Sequence, residues 1–183
     1  MTLLVTGGAG FMGSYFIKYV LKQKADWNVI NVDKLTYSGD TTKLKDIEDD
    51  YRYQFVEEDI TNGEQMEHLV SYYGVDGIIN FAAETHVDNS IDHADPFITT
   101  NITGTHTLLE VARKYGTRIV QVSTDEVYGS IQEGRVTEDA PFAPNSPYAA
   151  SKASADLLCR AYYQTYGVDF VGSHACNVLG PYQ

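Results

Sequence analysis

Two short segments carry side chains suited to acid–base chemistry. Tyr148 and Lys152 are four residues apart, a spacing that places them on one face of a helix. We expect the Lys152 ammonium to favour the phenolate and so lower the pKa of Tyr148, making it a usable base near neutral pH. In the second segment, Thr124-Asp125-Glu126, one acid could protonate a leaving hydroxyl while the other removes a carbon-bound proton. A solvated acidic turn is the alternative interpretation of that triplet.

A glycine-rich turn lies near the start of the chain, between an apolar run and a helical pattern. Gly7, Gly10 and Gly13 have the spacing of a dinucleotide-binding turn. The first glycine permits the turn, the second lets a pyrophosphate approach, and the third lets the helix pack closely. Asp33 ends the next apolar run, where a carboxylate binds the adenosine ribose. Because that carboxylate repels a 2′-phosphate, we predict NAD rather than NADP.

The elements that must position these groups alternate along the chain. Apolar runs predict six strands: Thr2–Thr6, Val29–Val32, Tyr53–Val56, Gly77–Ala82, Ile119–Ser123 and Phe170–Ser173. Helical periodicity predicts four helices: Phe11–Lys24, Glu64–Tyr73, Pro96–Tyr115 and Pro147–Tyr166. This pattern indicates an α/β fold, a doubly wound parallel sheet of Rossmann type with three αβα layers. The acidic triplet, the glycine turn and Tyr148 should then share the carboxyl edge of the sheet.

Composition excludes several classes of function. The 183 residues carry 25 acidic and 13 basic side chains, a net charge of −12, so the basic footprint of a nucleic-acid binder is missing. No apolar run approaches the ~18 residues of a membrane-spanning helix. Because the first residues do not form a secretion signal, we predict a cytoplasmic protein with no membrane partner.

Residues that could bind metals do not form a recognisable ligand set. His86 and His93 have acidic neighbours, but their spacing matches no helical ligand pair, so we predict no metal site. Cys159 and Cys176 form no C-x-x-C pair, and we expect both to be buried as small apolar side chains in a reducing compartment.

Five segments together resemble the extended short-chain dehydrogenases and, within them, the dTDP-glucose 4,6-dehydratases: Thr6–Gly13, Asp33–Tyr37, Ala82–Asp88, Ser123–Gly129 and Tyr148–Lys152. The sugar-nucleotide epimerases of the same family lack the Asp-Glu pair. The resemblance implies an NAD-dependent lyase of deoxysugar biosynthesis that converts a nucleotide sugar, dTDP-glucose, to its 4-keto-6-deoxy product.

The resemblance also implies a role for each catalytic residue. Tyr148 takes the proton of the sugar 4-hydroxyl while C4 gives hydride to NAD, and Thr124 bonds near the 4-oxygen. Glu126 then removes the C5 proton as Asp125 protonates the leaving 6-hydroxyl, after which hydride returns to C6. Lys152 holds the nicotinamide ribose and tunes Tyr148.

The same resemblance assigns the binding positions. The cofactor residues would be Gly7, Gly10, Phe11, Met12, Gly13, Asp33, Lys34, Leu35, Thr36, Asp59, Ile60, Ala82, Ala83, Thr100, Tyr148 and Lys152. The substrate residues would be Thr85, Thr124 and Asn177.

Some features depart from the family pattern. His174 and Asn89 each stand where an arginine is usual. Family members are considerably longer, so we expect residues 1–183 to be one NAD-binding domain with the C-terminal substrate domain largely absent. We expect residues 1–183 alone to bind the cofactor but to turn over substrate poorly. A fragment and a natural short homologue both fit, and so do a related epimerase and a non-catalytic NAD-binding protein.

Two predicted helices, Pro96–Tyr115 and Pro147–Tyr166, carry apolar residues on more than one face: Leu108, Leu109, Val111, Leu157 and Leu158. One face must cover the sheet. The other could pair with the same helices of a second subunit, and the resemblance also implies such a homodimer through a four-helix bundle.

Overall fold

The computed structural model describes residues 1–183 and contains one sheet of six parallel strands. These are β1 (Thr2–Thr6), β2 (Asn28–Asp33), β3 (Tyr53–Glu57), β4 (Gly77–Asn80), β5 (Arg118–Thr124) and β6 (Phe170–Ala175). Their order across the sheet is β3-β2-β1-β4-β5-β6, with every neighbouring pair parallel. The predicted doubly wound Rossmann fold is therefore confirmed.

Helices connect the strands on both faces of the sheet. They are α1 (Phe11–Gln23), α2 (Gly63–Tyr73), α3 (Val87–Asp92), α4 (Asp95–Phe97), α5 (Thr105–Tyr115) and α6 (Pro147–Tyr166), with short 3₁₀ turns at Thr41–Ile47 and Asp125–Tyr128. The Ser146 hydroxyl accepts the Ala149 N–H at 3.0 Å and caps α6. Left-handed Gly116 and Gly167 end α5 and α6. No helix is both long and apolar enough to span a bilayer.

The predicted continuous helix Pro96–Tyr115 is wrong in its middle, because Ile98–Gly104 forms a π-helix between α4 and α5. Asn101 lies in this widened turn, and its side chain bonds both backbone groups of Glu84 and the Ser151 hydroxyl, at 2.8–3.0 Å. A Cβ on Gly104 would lie 2.4 Å from the Ile60 side chain. Contacts between distant segments therefore decide this conformation, as is common where π-helical turns occur near functional sites.

Two apolar cores lie on opposite faces of the sheet. The larger packs α2, α5 and α6 over the strands, and the smaller packs α1. Between the cores, the central strands carry buried polar side chains, although apolar runs predict these strands. The Thr6 hydroxyl donates to Asn80 Oδ1 at 2.6 Å, and Asn80 Nδ2 donates to Gln121 Oε1 at 2.8 Å. These bonds join β1, β4 and β5 near their carboxyl ends and hold that edge of the sheet in register.

Candidate functional site

A cavity of about 790 Å³ opens along the carboxyl edge of the sheet. Its volume falls within the range of about 300–1,000 Å³ that is usual for small-ligand sites. Every predicted cofactor, substrate and catalytic residue lines this cavity except Leu35, Asp59 and Asp125. The fold thus brings together groups that come from β1, β2, β4, β5, α6 and the segment after β6.

The glycine turn depends on close backbone packing. Gly7 has φ +68°, and a Cβ there would lie 2.5 Å from the Ala82 amide nitrogen. A Cβ on Gly13 would lie 2.4 Å from the Gly7 carbonyl oxygen, so the start of α1 packs directly on the turn. These two positions need glycine for the reasons that the sequence pattern predicts.

Asp33 lies at the end of β2, and only 9% of it is exposed. Its two carboxylate oxygens accept the backbone N–H of Ala9 and of Leu35, each at 2.9 Å. The carboxylate also lines the cavity, and its remaining lone pairs can accept further hydrogen bonds. Asp33 therefore has a structural role in fixing the glycine turn, which the sequence pattern does not reveal.

Lys34 lines the cavity and connects three neighbouring segments through its ammonium. Its ammonium donates to the Thr100 hydroxyl at 2.8 Å and lies 3.4 Å from the Asp59 carboxylate and 3.9 Å from that of Glu84. Asp59 contacts Lys34 but does not itself line the cavity. Leu35, which has φ 52°, does not line the cavity either, but its backbone N–H donates to the Asp33 carboxylate.

Tyr148 and Lys152 lie one turn apart on α6, and both are buried at the cavity. The Tyr148 N–H donates to the Ser90 hydroxyl of α3 at 3.1 Å, which seats the start of α6. The Lys152 ammonium donates to the Val122 carbonyl at 2.7 Å. Burial lowers the pKa of Lys152 from 10.5 to about 8.

The predicted lowering of the Tyr148 pKa is wrong for the chain as it stands. Burial raises the pKa of Tyr148, and the charges of Glu126, Asp125 and Asp156 raise it further. The Thr124 hydroxyl opposes this rise, and Lys152 is not among the groups that shift the pKa of Tyr148. An additional positive charge in the cavity would lower the pKa of Tyr148.

The acidic triplet forms the 3₁₀ turn after β5, where the Thr124 hydroxyl accepts the Glu126 N–H at 3.3 Å. Glu126 faces the cavity, and burial together with the Asp125 charge raises its pKa. Asp125 does not line the cavity. Its carboxylate raises the pKa of the Cys176 thiol.

The two cysteines have different environments. Cys159 is buried as predicted, but Cys176 is exposed and lines the cavity, so the prediction of burial is wrong for it. Cys176 directly follows β6, in a segment whose residues line the cavity. No group of three or more His, Cys, Asp or Glu side chains could hold a metal ion.

Several residues that line the cavity could not be predicted from the sequence. Lys43 lines the cavity and donates to the Ala9 carbonyl at 3.1 Å and the Ser38 carbonyl at 2.8 Å. Glu84, which is 8% exposed, and Tyr182 near the last residue of the chain also line it. No spacing rule identifies these residues, because chain folding alone brings them to the glycine turn.

Comparison with known proteins agrees with this geometry. The sequence profile of the family described as GDP-mannose 4,6 dehydratase matches residues 4–183. The chain belongs to this dehydratase family. Among curated relatives, the low-salt glycan biosynthesis protein Agl12 of Haloferax volcanii is 48% identical over 184 residues, covering 100% of this chain and 58% of that protein.

Relatives named as dTDP-glucose 4,6-dehydratases also match. The Mycobacterium tuberculosis protein of that name is 46% identical over 100% of this chain and 55% of its own length. A solved dTDP-glucose 4,6-dehydratase from Streptomyces venezuelae, with NAD bound, has a TM-score of 0.96 and 50% identity over 100% of this chain and 58% of its own. The resemblance predicted from the sequence is confirmed, and the chain spans a little over half the length of these relatives.

Proposed function

We propose that residues 1–183 form the NAD-binding domain of a dTDP-glucose 4,6-dehydratase of deoxysugar biosynthesis. The observation that carries the proposal is the cavity itself, which brings the glycine turn and Asp33 together with Tyr148, Lys152 and Glu126. Relatives that bear this name and match the whole chain support it. In the longer relatives the remaining length would supply the nucleotide-sugar grip. A cytoplasmic location belongs to the same proposal.

The residues present fit NAD. The glycine turn leaves backbone N–H groups at the start of α1 free of side chains, which suits a pyrophosphate. Asp33 lines the cavity and keeps lone pairs for ribose hydroxyls. Bound NAD⁺ would accept hydride from the sugar C4, return it at C6, and bring a positively charged ring. A positive charge in this cavity would counter the carboxylates that raise the pKa of Tyr148.

In this proposal Tyr148 removes the proton of the sugar 4-hydroxyl, and Lys152 keeps the end of β5 in place through the Val122 carbonyl. The Thr124 hydroxyl lowers the pKa of Tyr148 and accepts the N–H of Glu126. Glu126 removes the proton from C5, since its raised pKa makes its carboxylate a stronger base. Asp125 donates the proton to the leaving 6-hydroxyl, which requires it to turn from Cys176 toward the cavity.

A sugar-nucleotide 4-epimerase is the second candidate, and the position of Asp125 outside the cavity lining favours it. An epimerase needs Tyr148 and the cofactor but no acid for a 6-hydroxyl. Incubating the complete protein with NAD and dTDP-glucose, followed by NMR of the product, separates the two. A 4-keto-6-deoxy sugar supports the dehydratase, whereas a sugar inverted at C4 with its 6-hydroxyl intact supports the epimerase.

Replacing Asp33 should weaken cofactor binding and its selectivity. We expect Asp33→Asn to raise the Kd for NAD about 10- to 100-fold, the range for hydrogen bonds to a charged group. Calorimetry with NAD and NADP measures the effect, and Asp26→Asn on the exposed surface is the matched control. Equal affinity of the unmodified chain for NAD and NADP would contradict the assignment of Asp33.

We also propose a homodimer through a four-helix bundle built from the π-helix, α5 and α6. Of the predicted bundle residues, Leu108, Leu109 and Val111 are buried in the larger core and partly buried Leu158 packs against it, which leaves 54%-exposed Leu157 on α6. Ile98 and Tyr163, each about half exposed, add to this apolar outer surface.

Leu157→Arg should convert that dimer to a monomer, because an interface cannot bury an unpaired charge cheaply. Light scattering of the purified protein at about 50 µM, well above the Kd of a modest interface, measures the change. Ile131→Arg in the exposed loop should leave the mass unaltered. A monomeric unmodified protein would contradict the bundle.

A further inference from the structure

One chain of hydrogen bonds holds the acidic triplet from both sides. Before the triplet, the Ser123 hydroxyl donates to Asp156 Oδ2 at 2.5 Å. The same carboxylate oxygen lies 3.1 Å from His174 Nε2. After the triplet, the Tyr128 hydroxyl lies 3.0 Å from His174 Nδ1. We call Tyr128, His174 and Asp156 the clamp.

The clamp joins three separate elements of the fold. Tyr128 ends the 3₁₀ turn that carries Asp125 and Glu126, His174 lies on β6, and Asp156 lies on α6. Asp156 is one helical turn beyond Lys152 and is 9% exposed. None of the three clamp residues lines the cavity. Tyr128 and His174 can therefore act on the reaction only through the residues that they hold, whereas the Asp156 charge also raises the pKa of Tyr148.

One tautomer of His174 satisfies every group in the clamp. With its proton on Nε2, the ring donates to Asp156 and accepts the Tyr128 hydroxyl proton at Nδ1. Phe142 packs edge-on against both aromatic rings, with centroids 5.5 Å from Tyr128 and 5.7 Å from His174. Because this packing limits rotation of the Tyr128 and His174 rings, the hydrogen bond between them fixes the position of the Tyr128 side chain.

Apart from the clamp, the turn is held by the buried Val127 side chain and by a bond from the Gly129 N–H to the Glu126 carbonyl at 3.0 Å. Gly129, with φ +79°, follows Tyr128 directly and leads into the long segment before α6, which contains no helix or strand. One backbone bond, from the Ala143 N–H to the Val127 carbonyl at 2.9 Å, ties that segment to the turn. Releasing Tyr128 would thus loosen the end of the turn that follows Glu126, and Glu126 itself would keep its backbone bonds to Thr124 and Gly129.

We propose that Tyr128, His174 and Asp156 are positioning residues that hold Asp125 and Glu126 for the elimination step. This inference rests on the proposed dehydratase function. Its particular consequence is that removing the Tyr128 hydroxyl or the His174 ring slows elimination and spares the earlier hydride transfer from C4, which depends on Tyr148 and Lys152 of α6.

The first experiment needs no catalysis. Amide hydrogen exchange of Asp125, Glu126 and Val127 should become faster in Tyr128→Phe, which removes one hydroxyl and keeps the ring. His174→Ala should accelerate it more, and His174→Gln, which retains a donor for Asp156, should do so less. Tyr72→Phe on the exposed face of α2 is the matched control. Unchanged exchange in Tyr128→Phe and His174→Ala would overturn the clamp, whatever the enzyme's activity.

The second experiment uses the complete protein with NAD and dTDP-glucose. Tyr128→Phe should slow elimination about 3- to 10-fold, the factor that one neutral hydrogen bond supports. Reduced nicotinamide should then accumulate and be visible by its near-ultraviolet absorbance. The double variant Tyr128→Phe/His174→Ala should be no slower than His174→Ala, because both act through one chain of bonds.

Two results distinguish the failure of the clamp from that of the proposed function. If oxidation and elimination slow equally in the clamp variants, the residues are merely structural and the proposal is overturned. If the unmodified protein yields no 4-keto-6-deoxy sugar, the proposed function has failed. The hydrogen exchange of the turn still decides whether the clamp holds it.

Discussion

Glu126→Gln should reduce formation of the 4-keto-6-deoxy product by about 10²- to 10⁴-fold, the usual contribution of a positioned general base. Glutamine keeps the shape of the side chain and cannot remove the C5 proton. The N–H that Glu126 donates to Thr124 belongs to the backbone, so the turn should survive the substitution. Product formation by the complete protein, followed by NMR, measures the loss.

A matched control and a pH profile sharpen this test. Glu48→Gln on the exposed surface should leave the rate unaltered. Because burial and the Asp125 charge raise the Glu126 pKa above 4.5, the base is lost as the pH falls through that higher value. The acid side of the rate profile should therefore lie above pH 4.5 and disappear in the variant. A variant rate within tenfold of the unmodified protein would remove Glu126 from the mechanism.

Lys152→Met should stabilise the cofactor-free chain near pH 7 while removing a group at the site. The folded-state pKa of about 8 lies below the ordinary 10.5, so folding opposes the charged form. This lowering of the pKa corresponds to a penalty of about 3 kcal/mol on the charged form below pH 8. Losing the charged donor to the Val122 carbonyl offsets about 1.5–3 kcal/mol of the gain. We expect the free energy of unfolding to rise by up to about 2 kcal/mol.

Urea unfolding at several pH values checks the sign. Between pH 8 and 10.5 the unfolded chain binds more protons at Lys152 than the folded chain, so the penalty in the unmodified protein fades as the pH rises. The advantage of Lys152→Met should shrink over the same interval. Lys45→Met, at an exposed position, should show no such dependence. A less stable Lys152→Met variant at pH 7 would mean that the ammonium is favourably paired in the folded chain.

The features predictable from the sequence are those that depend on neighbouring residues. The bounds of β1 follow from an apolar run that ends at a glycine turn. The bounds of α6 follow from Ser146-Pro147 at its start and Gly167 at its end. The glycine turn itself carries its geometry in its spacing. These local signals also predict which strand ends meet, because parallel strands share a carboxyl edge.

The rest depends on contacts between segments far apart in sequence. The π-helix depends on the hydrogen bonds of Asn101 to Glu84 and Ser151, and the spacing of apolar residues in the sequence cannot predict such bonds. The raised pKa of Tyr148 reflects burial and carboxylates from several elements, whereas the spacing to Lys152 suggested a single dominant charge. The position of Asp125 outside the cavity lining and that of Cys176 within it depend on how β5 and β6 are brought together by the fold.

The double use of Asp33 constrains how this domain could evolve. A substitution there that admitted a 2′-phosphate would also leave the Ala9 and Leu35 amides without their acceptor. Each buried amide left unpaired costs about 1–3 kcal/mol, so the first step toward NADP would weaken the turn that must hold either cofactor. A lineage changing its cofactor would therefore need a second, compensating substitution near the turn, and single-step intermediates would bind both dinucleotides poorly.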